Sequence, residues 1–110
     1  MSAKTTPEAV YEASASDSVE ALITITESLS GIFEEENLAL AQSRAGDLGA
    51  LQPEKARLAA AYAQSIRAVA ADRARIAAVD PGLLSRLRAA TASFEARAAR
   101  QKGLLERAAG

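Results

Sequence analysis

Apolar residues in the first part of the chain are arranged as a mirror about Arg44, Ala45, Gly46 and Asp47. Leu40 is matched by Leu51, Phe33 by Leu58, Leu29 by Tyr62, Ile25 by Ile66 and Leu22 by Val69, each pair summing to the same index. A stripe that returns on itself at helical spacing predicts two antiparallel helices joined by a turn, because residues three and four apart share one face of a helix. One pair breaks the rule. Glu36 falls opposite Lys55, an acid and a base at positions where the stripe calls for apolar residues.

The punctuation along the chain predicts helices over about 17–43, 53–79 and 81–108. Asp17 with Glu20 forms a capping pair for the first helix, which leaves residues 1–16 as a flexible N-terminal segment. Pro7 could open a short helix there, but Ser14, Ser16 and Ser18 weaken it. Gly46 is expected to stop the first helix and Asp47 to accept from the free amides of the next turn. Gly31 costs helix stability relative to Ala, which predicts a close-passing backbone at that point. The second helix carries Lys55, Leu58, Tyr62, Ile66, Val69, Ile76 and Val79 on its stripe, with Pro53 in its first turn, and Asp80-Pro81-Gly82 ends it and caps the third. In the third, Leu84, Leu87, Thr91, Phe94, Ala98, Gln101, Leu105 and Ala108 repeat at the same spacing. The fold class is therefore all-α: a long antiparallel hairpin with a third amphipathic helix, forming either a three-helix bundle or an elongated hairpin.

Composition agrees with helix and narrows the chemistry. The chain has 110 residues, enough for one domain, and about a quarter of them are Ala. With no Cys and no His there are no disulfides, thiol nucleophiles or imidazole mechanisms, and only carboxylates remain as metal ligands. No apolar run approaches the length of a membrane span and no secretion signal is visible, so the expected location is cytoplasmic. Charge is lopsided: up to Ser43 eight acids meet one base, and from Arg44 onward twelve bases meet six acids. Without interleaved aromatics or a helix-turn-helix pattern, the arginines read as the flanks of helices packed beside an acidic one rather than as a nucleic-acid surface.

Glu36 and Lys55 are the candidate register pair. An ion pair between facing stripe positions fixes one helix against the other; the alternative is that both side chains snorkel to solvent near the turn. The run Glu34-Glu35-Glu36 is not a cation site on a continuous helix, because adjacent carboxylates point about 100° apart. No phosphate loop, nucleophile elbow or catalytic pair is present, so neither an enzyme nor a cofactor is expected.

The residues Leu29, Glu36-Asn37-Leu38-Ala39-Leu40, Asp47, Leu51, Lys55, Leu58 and Tyr62 resemble the pattern of flagellar export chaperones of the FlgN-like family, over about Val19 to Val69. The resemblance implies a cytoplasmic chaperone that binds hook-associated flagellar subunits and delivers them to the type III secretion apparatus. In that family the C-terminal helix usually engages clients, which implies Leu84, Leu87, Phe94, Leu104 and Leu105 as the client-binding contacts. The alternative is a structural coiled-coil protein that self-associates through the same stripes, as a homodimer, with no export client.

Overall fold

The hairpin predicted from the mirror is present, and a third long helix lies along it. The computed structural model describes the backbone of residues 7–109 and the side chains of residues 15–109. Its elements are α1 (Pro7–Ala41), a 3₁₀ turn (Ala45–Leu51), α2 (Gln52–Ala71), the short α3 (Arg73–Ala77) and α4 (Pro81–Ala109), with no strand among the described residues. The chain runs up, down and up again, so α1 and α4 are parallel. Val19 accordingly shares a cluster with Leu83, and Glu36 meets Gln101 further along the same two helices. Both α2 and α4 lie backbone to backbone against α1, while α2 and α4 reach each other only through side chains such as Tyr62 and Phe94. The molecule measures 63 × 24 × 19 Å with a radius of gyration of 17.7 Å. A compact domain of this length would have about 13 Å, so the arrangement is an elongated three-helix bundle.

Two apolar clusters hold it, both built on α1. Toward the start of α4, Ala15, Val19 and Ile23 pack with Val79 and Leu83. Toward the turn, Leu29, Ile32 and Leu58 pack with Phe33, Tyr62 and Phe94, where the Phe33 and Phe94 rings meet edge to face at 5.1 Å. Such edge contacts add about 0.5–1.5 kcal/mol beyond area burial. Between the clusters α1 presents Thr26, which is buried and whose Oγ1 atom has no hydrogen-bond partner.

The ends of the helices depart from the sequence expectation in four places. First, α1 starts at Pro7, so Asp17 and Glu20 lie inside it rather than at a cap, and the expected flexible segment is helical over residues 7–16; residues 1–6 lie outside the described residues. Ala15 explains part of this, since it is buried in the first cluster and ties that segment to α4. Second, Gly46 does not end α1. Ser43 does, at φ 59°, with its amide donating to the Leu40 carbonyl at 3.2 Å and the Arg44 amide donating to the Ala39 carbonyl at 2.7 Å. This is the left-handed closure usually given to glycine, and Asp47 pairs with the Arg44 guanidinium instead of capping amides.

Third, the second helix breaks at Asp72 (φ −121°, ψ 40°) and resumes as α3. The stripe has no apolar residue between Val69 and Ile76, and the break turns Ile76 and Val79 onto the first cluster. Fourth, nothing lies within 4 Å of a side chain built on Gly31, so no close-passing backbone explains that glycine. The last boundary is as expected: the Asp80 carboxylate accepts from the Leu83 amide at 3.2 Å and caps α4.

Since a non-glycine residue in the left-handed region costs about 1 kcal/mol or more, Ser43→Gly is expected to stabilise the fold by about 1 kcal/mol. Chemical denaturation checks this; a loss of stability would mean that the Ser43 side chain contributes more than its backbone strain costs.

Candidate functional site

The Glu36 carboxylate is the polar centre of the molecule. Its position on the α1 stripe forces it between α2 and α4, and it is 2% exposed. A buried carboxylate is costly unless paired and hydrogen-bonded, and each neighbouring helix supplies the donors. From α2, Lys55 Nζ lies 3.0 Å from Oε1 and Gln52 Nε2 donates to Oε2 at 2.7 Å. From α4, Gln101 Nε2 donates to Oε1 at 2.9 Å. Burial alone would raise the Glu36 pKa; the bonds from Gln101, Lys55 and Gln52, with the Lys55 charge, outweigh it and hold the carboxyl below its ordinary value.

The network continues outward from Glu36. Lys55 sits over the Phe33 ring at 4.4 Å, a cation–π contact, and its ammonium also reaches Gln101 Oε1 at 3.5 Å. Asn37, fully buried, accepts from Gln101 at 3.4 Å and donates to the Arg97 main-chain carbonyl at 3.1 Å. Arg97 Nη1 donates to Ser30 Oγ at 2.8 Å, and its Nε lies 3.5 Å from Glu34. The acidic run therefore diverges: Glu36 turns inward, Glu34 turns to Arg97 and Arg100, and Glu35 is exposed. No group of metal-ligating side chains converges among the described residues.

Next to this network the turn end of the bundle carries uncovered apolar surface. Leu38 and Leu105 are 44% and 46% exposed, while Leu40, Leu48 and Leu104 are half-buried. One open cleft of about 260 Å³ is walled by Leu40, Leu48 and Leu105, with Glu36, Gln52, Lys55 and Gln101 also lining it. A second, of about 490 Å³, continues from Leu40 to Leu104, Ala108 and Arg107. Leu104 and Leu105 point to different clefts because neighbouring residues lie about 100° apart around a helix.

Of the residues proposed for client binding, Leu104 and Leu105 stand at this open end. Leu84 and Leu87 pack against the first cluster and Phe94 against the second, so in this docked arrangement they are occupied within the chain. Glu36 and Lys55 meet as the register reading expected, and the snorkelling alternative does not hold for Glu36. Sequence reasoning missed Gln52, Asn37, Arg97 and Ser30 as partners. Gln101 carried a usable signal: it is a polar residue on the α4 stripe, as Glu36 is on that of α1.

No protein-family model matches the chain, and neither the curated proteins nor the solved structures give a match.

A double-mutant cycle on Glu36→Leu and Lys55→Leu should show coupling of about 0.5–3 kcal/mol, the double variant losing less stability than the two singles summed. Independent, additive losses would mean the contact is incidental. The pH dependence follows from the lowered carboxyl pKa. A group with a depressed folded-state pKa stabilises above its unfolded value and loses that contribution as pH falls through the folded value. Acid titration of stability below about pH 5 should therefore be shallower in Glu36→Gln than in the parent; parallel curves would contradict the assignment.

Proposed function

We propose that the protein is a helical adaptor that binds an amphipathic helical segment of another protein at its turn end, and that its role is that of a cytoplasmic export chaperone. The observation that carries the binding part is the collar of Leu40, Leu48, Leu104 and Leu105 around two open clefts at the turn end of the bundle, with Leu38 exposed nearby. Helices recognise helices by setting leucine-sized anchors into such grooves, with charged residues on the rim, a place Arg107 takes here. No helix among the described residues is long and apolar enough to cross a membrane.

The export part rests on the residue pattern. Glu36, Leu51, Lys55, Leu58 and Tyr62, which resemble the FlgN-like motif, are among the side chains packed where α1 meets the turn and α2. On this reading the partners are hook-associated flagellar subunits and the type III secretion apparatus, with Leu104 and Leu105 as the client contacts retained from the C-terminal helix.

Leu105→Asp tests it, because Leu105 is exposed and the change should leave the fold intact. Purified chain should retain the helical terminal segments of hook-associated subunits, with at least a tenfold loss in the variant at unchanged helicity, for a lost apolar anchor of about 1.5–3 kcal/mol. Light scattering on the chain alone decides the alternative: a dimer that Leu105→Asp converts to monomer, with no retained subunit, would assign the leucine collar to self-association.

A further inference from the structure

We infer that the C-terminal part of α4, from Arg97 onward, is a releasable arm latched to α1 by polar contacts, while the part before it is a fixed anchor. The seam between the two parallel helices changes chemistry along its length. In its first half Ala15, Val19 and Ile23 meet Leu83, Leu84 and Leu87 with apolar contacts, and Phe94 closes this stretch against the aromatic cluster. Water offers no substitute for such contacts.

Past Phe94 the seam is held by hydrogen bonds. Arg97 donates to Ser30 at 2.8 Å, Asn37 donates to the Arg97 carbonyl at 3.1 Å, and Gln101 donates to Glu36 at 2.9 Å and to Asn37 at 3.4 Å. Arg97 and Arg100 also face Glu34 at 3.5 and 4.0 Å across partly exposed surface. Water can replace each of these bonds when the arm lifts, so local opening there costs far less than at the anchor. A further feature weakens the arm. Gly103 lowers the helix propensity of the arm, and a side chain built there would meet only the tip of Arg107 at 3.7 Å, so packing does not require glycine.

The arm carries Leu104 and Leu105, so its position determines whether the clefts at the turn end exist. The latch itself does not depend on the proposed function; only its role as a gate does.

Native-state hydrogen exchange on the full chain tests the latch. Amides of residues 98–103 are expected to exchange at least tenfold faster than those of residues 84–94, through openings insensitive to low denaturant. Gln101→Ala should accelerate residues 98–103 about tenfold, and Gly103→Ala should slow them about fivefold, with residues 84–94 unchanged in both. Uniform protection across α4, fast exchange confined to the last turn beyond Leu105, or variants that shift both halves together would each overturn the inference.

Discussion

A single carboxylate inside a helical bundle imposes a condition on everything around it. Glu36 remains ionised at low exposure only if donors reach it from outside its own helix, since the amides of α1 are committed to their own ladder. Lys55 and Gln52 from α2 and Gln101 from α4 meet that condition together. The three helices are therefore tied at one level of the bundle, and that level fixes which residue of α2 and which of α4 stand beside Glu36. Apolar burial is non-directional and tolerates sliding in a way that a buried charge with placed donors does not. The contribution is chiefly to specificity, since replacing such a pair by apolar residues is often neutral in stability.

The same condition explains why the turn end is both ordered and uncovered. The polar network occupies the space that a continuous apolar seam would fill, so Leu40, Leu48, Leu104 and Leu105 are displaced to its edge, where they wall open clefts. Toward the opposite end the leucines of α4 pack inward on Val19 and Ile23. The proposed binding role belongs to the end that carries the cleft-lining leucines, and the apolar cluster of Ala15, Val19, Ile23, Val79 and Leu83 holds the helices together away from it.

Much of this architecture was legible in the sequence because the mirror of apolar residues is a long-range constraint written in local spacing. The pairing of Phe33 with Leu58 and of Glu36 with Lys55 followed from it directly. The helix termini were less legible for physical reasons. Gly46 looked like the stop, but the backbone took its left-handed residue at Ser43, because the end of α1 is set by where the chain must turn toward α2. The start of α1 was obscured by serines whose helix cost is met by the burial of Ala15, a tertiary effect invisible to capping patterns. Leu84 and Phe94 are implied as partner contacts by the family resemblance, and the spacing of the stripe they lie on does not reveal that their helix is docked.

The register claim is tested most directly by a distance measurement across the hairpin. The chain has no native cysteine, so spin labels placed at Ser28→Cys and Ala63→Cys, both exposed, report only the α1 to α2 alignment. With Glu36 and Lys55 present, one narrow distance distribution is expected. With both replaced by Leu, a second population should appear, displaced along the helix axis by about 10 Å, one heptad of helix. A single unchanged distribution in the double variant would show that the apolar stripes and the turn set the register alone, and that the buried pair does not.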